Sequence, residues 1–276
     1  MIKRILVVLG GSRFMDAVVR TSLDLAERHG ASLFGCAVVD ESLVNPAEPV
    51  PVGAGGASQD AREQRLGIAR TGALEATHRF KEACEARGIT HRAEVIEGDS
   101  IEVLRDAWRF QDVGVIGVRE IFNYGAVEHD PDVVVRLINH GVRPLIAVDA
   151  SSTPMDRVLV AFNGSAECCD ALKQWTLTHS TPDVTVRIAT CGEDCAQGDL
   201  DDAVAYVREH GIANVEAVRL EGDGSVARIL LADGASWGAN LLVAGSTGRG
   251  WLTRMMIGDN ARELVERTDI ALYLQH

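Results

Sequence analysis

The chain has 276 residues, 46% hydrophobic and 24% charged, with a formal net charge of −13, the balance of a globular protein with apolar mass for one large core or two ordinary ones. That charge excludes broad contact with nucleic acid or an anionic membrane, both of which need a basic face, and no apolar run reaches the ~18 residues of a membrane span. Six cysteines are too few for a disulfide scaffold at this length, so a reducing, cytoplasmic setting is expected, and Met1-Ile2-Lys3-Arg4 runs into a strand-like segment with no room for a secretory signal.

The first predicted element is the strand Ile5-Leu6-Val7-Val8-Leu9, followed by Gly10-Gly11-Ser12. A helix comes next, with Met15, Val18, Val19, Ser22, Leu25 and Ala26 on one face. The stretch Asn45 to Gln59, rich in Pro, Gly and Ala, is expected to be a mobile loop. Beyond it lies a helix with Leu66, Ala69, Ala73, Ala76, Phe80 and Ala83 three and four apart. Val95-Ile96 leads into the turn Glu97-Gly98-Asp99, and Val113 to Ile116 forms a fourth strand ending at Gly117. Leu145-Ile146-Ala147-Val148 is the last strand before a polar linker, Ala150 to Pro154.

The same series then begins again. Arg157-Val158-Leu159-Val160-Ala161-Phe162-Asn163-Gly164-Ser165 aligns without a gap on Arg4 to Ser12, and Asp170-Ala171 on Asp16-Ala17. Val218 to Asp223 answers Val95 to Asp99, Asn240 to Gly245 answers Asp112 to Gly117, and Ala271 to Leu274 answers Leu145 to Val148. Order kept across whole halves marks an internal repeat, with domains expected over 1–150 and 155–276. Short β-branched runs alternating with helical spacing predict, for each half, an open doubly wound parallel sheet of the α/β class. Ligands of such sheets sit beyond the carboxyl ends of the strands.

One loop at that edge carries chemistry. Gly245-Ser246-Thr247-Gly248 comes directly after the fourth strand of the second half, and nine residues later Gly258-Asp259 opens a helix. Glycines three apart let successive N–H groups converge on an anion. A helix N-terminus suits phosphate, and Arg249 and Arg254 add cationic reach. The plainer alternative is a glycine turn leading to an Asp N-cap.

These residues bring a known family into view. Two tandem units of roughly 140 residues, each opening Ile/Val-Leu-Val, together with Gly245-x2-Gly248-x9-Gly258-Asp259, resemble universal stress protein domains, whose ATP-binding signature is Gly-x2-Gly-x9-Gly-Ser/Thr. The resemblance implies an adenine nucleotide alpha hydrolase-like fold with strand order 3-2-1-4-5 and nucleotide bound between the ends of strands one and four. In tandem members it implies pairing of the halves through their fifth strands; a homodimer is left open. Carried over, it assigns Ala161, Phe162, Asn163 and Thr190 to the adenosine pocket, and Gly245, Thr247, Gly248, Arg249, Gly258, Asp259 and Asn260 to ribose and phosphates. The ligand would be ATP, ADP or AMP, with Mg2+ an option.

Two positions depart from the family pattern. Asn163 and Gly10 stand where strand one usually ends in Asp, and Asp259 replaces the Ser/Thr hydroxyl with an anion. The first half departs further: Gly117 survives, but Glu120 takes the second glycine position and Asp130 or Pro131 the third. That half is expected to be a partner domain with a degenerate loop.

Other residues have plainer readings. Cys168-Cys169 and Cys191-x3-Cys195 could meet as a redox pair or a zinc site, although small buried hydrophobes are the simpler account. His129 and His140 are isolated, Glu97-Gly98-Asp99 and Glu221-Gly222-Asp223 read as turns with N-caps, and Trp108 and Trp237 as packing residues. Leu9-Gly10-Gly11-Ser12 lacks the order and second serine of the pyrophosphatase-type Ser-Gly-Gly-x-Asp-Ser loop. No nucleophile–base pair is apparent, so at most weak, incidental ATP hydrolysis is expected. The leading expectation is a cytoplasmic adenine-nucleotide-binding stress-response or regulatory protein, its ligand held by the second half. The alternative is an interaction scaffold of the same fold that binds no nucleotide.

Overall fold

The computed structural model describes residues 1–11, 13–45, 55–118, 122, 124, 136, 137, 140, 142, 144–150, 154–179, 183–193, 195–245 and 267–275. Contacts divide the chain into two compact units, Ile2–Val142 and Arg143–His276, the second counting Met1.

The first unit runs β1 (Arg4–Leu9), α1 (Met15–His29), β2 (Ser32–Val39), α2 (Glu41–Val44), α3 (Gly55–Ala86), β3 (His91–Glu97), α4 (Ser100–Trp108) and β4 (Val113–Gly117). Its strands lie in the order β3-β2-β1-β4, all parallel. β1 has a strand on either side, which is why Ile5 to Leu9 are all apolar and all buried. Asp16 in the first turn of α1 and Arg28 and His29 in its last complement the helix dipole, and Gly30 ends the helix at φ 60°.

α3 begins inside the expected loop. Residues 46–54 lie outside the described residues, but helix starts at Gly55. The last proline of that stretch is Pro51, and from Ala57 onward the residues are mostly good helix formers, so the glycines at 55 and 56 open a helix where a loop was expected. The buried stripe of α3 is Ala69, Ala73, Ala76, Phe80 and Cys84. Its alanines let the helix lie close over β2 and β3, and Gly35 receives the ring of Phe80.

The second unit runs β5 (Leu145–Val148), β6 (Arg157–Ala161), α5 (Ala166–His179), β7 (Thr185–Cys191), α6 (Gln197–Glu209), β8 (Val215–Leu220), α7 (Val226–Trp237), β9 (Leu241–Gly245) and β10 (Ala271–Gln275). Its sheet is ordered β8-β7-β6-β9-β10-β5. Counted from β6, this is the 3-2-1-4-5 order that the family resemblance implied. The sheet is mixed, however, and not purely parallel. β5 runs antiparallel to β10, with Leu145, Ile146 and Ala147 opposite Leu274, Tyr273 and Leu272. The fifth strands of the two repeats thus pair, and β5 is buried throughout, which removes an apolar edge from solvent. The polar linker at 150–154 separates the repeats in chain order, whereas the contacts divide after Val142.

The repeat also extends to single hydrogen bonds. Asp112, just before β4, accepts from the N–H groups of Lys3 and Arg4 at 2.7 and 2.9 Å. Its counterpart Asn240 accepts from Arg157 N–H at 2.9 Å. Trp237, expected to pack, closes α7 between the guanidinium groups of Arg157 and Arg187, 4.5 and 4.7 Å from its ring. Arg187 also bonds Glu216 and Asp233 at 2.8 and 2.9 Å.

Gly35 generates a test. A Cβ there would lie 2.7 and 2.8 Å from ring carbons of Phe80 and 2.9 Å from Leu9 Cδ1, and both neighbours are fully buried. Gly35→Ala should therefore cost about 1–3 kcal/mol in denaturant unfolding. Adding Phe80→Leu should recover part of that loss in a double-mutant cycle; strict additivity would count against this packing.

Candidate functional site

At the carboxyl ends of β6, β9 and β7, the second unit gathers the described members of the predicted constellation. Ala161 and Phe162 are 1% and 2% exposed, and Phe162 N–H donates to Ala189 O at 2.9 Å, carrying the β6–β7 ladder one step beyond the strand. Asn163 Oδ1 then accepts from Ser165 N–H at 2.9 Å, and Ser165 Oγ from Cys168 N–H at 3.4 Å. Gly164 between them has φ 77°. The Asn-Gly-Ser sequence therefore makes a tight turn that delivers the chain into the first turn of α5.

Gly245, the last residue of β9, lies against that same turn. A Cβ at Gly245 would stand 2.6 Å from Glu167 O, 2.7 Å from its carbonyl carbon and 3.0 Å from Cys168 N. Only a glycine lets the end of β9 approach the backbone of α5 so closely. Thr190, one residue beyond Ala189 on β7, is buried, and its hydroxyl adjoins the Cys195 thiol. Thr247, Gly248, Arg249, Gly258, Asp259 and Asn260 lie outside the described residues.

Two supports escaped the sequence reading. Arg219 on β8 donates to the carbonyls of Gly192 and Cys195, the latter at 2.8 Å, and so holds the loop after β7. A cavity of about 280 Å³ also opens between α5 and α6, with Phe162, Leu172 and Ala203 on its apolar walls and Lys173, Asp199 and Asp202 at its polar ones. Lys173 is tied to Asp170 at 2.9 Å, so the cavity is acidic in balance and unsuited to a phosphate. A cationic residue far along the chain and a groove between two helices leave no local pattern.

The thiols are quiet. Burial raises the pKa of Cys168, Cys169 and Cys195, and pushes Cys191 up to about 11. All four are thus held protonated at neutral pH, and among the described residues no three His, Cys, Asp or Glu side chains converge as a metal site. Asp99 N-caps α4, accepting from Ile101 and Glu102 N–H at 3.0 Å each. In the second unit the capping side chain of α7 is Ser225, not Asp223. His140 makes a local contact, Nδ1 lying 2.7 Å from Arg136 O; His129, Glu120, Asp130 and Pro131 lie outside the described residues.

At the matching edge of the first unit the chemistry differs. Asp40 comes just after β2, is buried, and accepts from Ser42 N–H, Ser42 Oγ–H and Ser100 N–H at 3.0, 2.6 and 2.7 Å. Burial pushes its carboxyl pKa up, but these donors together hold it below the usual carboxylate range. Tyr124 Oη–H donates to Leu9 O at 2.8 Å and accepts from Val38 N–H at 3.2 Å.

The sequence pattern of the Universal stress protein family matches residues 1–112 and 154–274. Among solved structures, a universal stress protein from Archaeoglobus fulgidus DSM 4304 is similar at 14% identity, with 99% of this chain and 95% of that one covered and a TM-score of 0.63. The Pseudomonas aeruginosa PAO1 protein PA1789, of unknown function, is similar at 12% identity, with 99% and 92% covered and a TM-score of 0.53. An Arabidopsis thaliana protein of the universal stress protein family, solved with AMP bound, matches 43% of this chain and 90% of its own at 20% identity and a TM-score of 0.33. No curated protein matches the chain.

The approach at Gly245 is testable by one methyl group. Gly245→Ala should lower unfolding free energy by about 2 kcal/mol or more, because the obstacle is helix backbone and cannot rotate away. Gly198→Ala, in the first turn of α6 with nothing within 4 Å, should be neutral or stabilise by up to about 1 kcal/mol. Equal effects in thermal denaturation would refute the close approach.

Proposed function

Because the chain belongs to the universal stress protein family, we propose that it is a cytoplasmic regulatory protein whose second unit binds an adenine nucleotide, ATP, ADP or AMP, without committed chemistry of its own. The observation that carries this reading is the meeting of two segments at the first turn of α5. The Asn163-Gly164-Ser165 turn enters it from β6, and Gly245, the first glycine of Gly-x2-Gly-x9-Gly, packs on it from β9. The amino end of α5 at that point favours an anion through the helix dipole. The acidic cavity between α5 and α6 disfavours phosphate there, which leaves the β9 side for the charged end of the ligand. The net charge of −13 speaks against nucleic acid or an anionic membrane as partner, and no helix among the described residues is long and apolar enough to cross a membrane.

Acid extraction of the purified protein, with chromatography of released nucleotide, tests the reading directly. Calorimetric titration with AMP, ADP and ATP should saturate at no more than one nucleotide per chain, and Gly248→Glu should abolish binding. Two comparable sites would refute the assignment to one unit. Absence of binding to all three would leave the interaction scaffold as the function.

Asp259 is expected to set the preference among the three. A carboxylate ~4 Å from a terminal phosphate costs about 4 kcal/mol at an effective dielectric near 20, more than the ~1.5–3 kcal/mol of a charged hydrogen bond. Without metal, AMP or ADP should therefore bind better than ATP. Asp259→Ser should raise ATP affinity while leaving AMP affinity nearly unchanged. Equal tightening for both would mean that Asp259 acts only as a competing helix cap.

A further inference from the structure

The two repeats treat the groove between their first two long helices differently. In the first unit, charges are paired across it. Arg79 of α3 meets Asp16 of α1 at 2.6 Å, and Arg87, one residue past α3, meets Asp24 and Glu27 at 2.7 and 3.4 Å. Every acid of α1 thus has a cation from the α3 side. In the second unit, among the described residues, no ion pair crosses between α5 and α6. Lys173, the only lysine or arginine of α5, is held by Asp170 of its own helix at 2.9 Å. Asp199 and Asp202 of α6 have no hydrogen-bond or ion-pair partner among the described residues.

These aspartates do not stand on an open helix face. Asp199, Asp202, Ala203 and Tyr206 fall at i, i+3, i+4 and i+7, one stripe of α6 that lines the cavity of about 280 Å³ against α5. That spacing ordinarily carries apolar residues toward a neighbouring helix. Phe162 and Leu172 supply the facing apolar walls. His210 stacks on Tyr206 with ring centroids 4.2 Å apart, which steadies the ring. Asp199 leans on the turn after β6, its Oδ2 lying 2.9 Å from where a Cβ of Gly164 would stand. The volume is near the lower end of small-ligand sites. Carboxylates alone would be a solvated surface; here they adjoin aromatic and aliphatic walls, and the counter-charge that the first unit supplies from its own chain is missing.

We propose that the cavity between α5 and α6 binds a small organic ammonium ion. The cationic head takes charge-assisted hydrogen bonds from Asp199 and Asp202, and the Tyr206 ring adds a cation–π attraction. The apolar body of the ligand packs on Phe162 and Leu172. Asp199, Asp202 and Tyr206 are not among the residues that the family resemblance assigns to a nucleotide, and the inference does not depend on nucleotide binding by the second unit.

Calorimetric titration of the full chain with phenethylamine tests this. The amine should bind once per chain, about tenfold or more tightly than phenethyl alcohol, which keeps the body and lacks the charge. It should also bind about tenfold or more tightly than ethylamine, which keeps the charge and lacks the body. Asp199→Asn combined with Asp202→Asn should weaken phenethylamine binding about tenfold or more, and Tyr206→Ala should weaken it severalfold. Both aspartates are exposed, so the double variant should fold with its Tm nearly unchanged. Equal affinity for the alcohol would reduce the site to an apolar cleft, and equal affinity for ethylamine to a diffuse acidic patch; either result overturns the proposal. Undiminished binding by the double variant would put the amine elsewhere and overturn it as well, as would the absence of saturable binding to the wild type.

Discussion

Each unit is organised by one strand that has no free side. β1 and β6 are flanked by parallel strands on both edges and are buried from their second residue to their last. Such a strand must be apolar at every position, and its backbone groups must be paired along its whole length. At the amino end the sheet provides Asp112 or Asn240 to receive the first N–H groups. At the carboxyl end the ladder runs out, so the residues that succeed β1 and β6 decide the chemistry open to each unit.

The two units resolve that end differently. The second continues from β6 into Asn163, Gly164 and Ser165, a turn that serves the helix it enters and brings Gly245 of β9 against it. The first has Gly10 at the aligned position, which offers no side chain, and closes the edge with a tyrosine from beyond β4. A repeated scaffold has thus kept its amino-end clamp while its carboxyl-end chemistry diverged. Connections between elements vary more readily than the elements they join, although Phe122 and Tyr124 are buried in this one.

How much of this is legible in the sequence depends on how far apart the interacting residues lie. The tandem repeat, the two central strands and the Asp99 cap rest on local pattern and reappear in the structure, as does the strand order, which came from family resemblance. The start of α3 is obscured because glycines at 55 and 56 punctuate loops more often than they begin helices. The antiparallel pairing of β5 escapes a sequence reading because side-chain patterns are the same for a buried parallel strand and a buried antiparallel one. Tyr124 reaches β1 across 115 residues, and Arg219 reaches its loop across 27 and 24. A single tyrosine or arginine carries no periodicity to announce such a contact. Of the residues that the resemblance assigns to a nucleotide, Ala161, Phe162, Asn163, Thr190 and Gly245 do come to one sheet edge, and the glycine spacing beyond Gly245 is a matter of sequence alone.

The partnership of Ile146 with Tyr273 also bears on synthesis. β5 leaves the ribosome long before the strand that will cover it, and at roughly 5–20 residues per second the delay is on the order of ten seconds. During that interval Leu145-Ile146-Ala147-Val148 is an apolar segment with its eventual neighbour not yet made. Its four-residue length and the adjoining Asp149 are features that discourage a nascent segment from pairing with another chain. The second unit therefore cannot finish its sheet from its own repeat alone; it closes on a strand that was translated first and has been waiting.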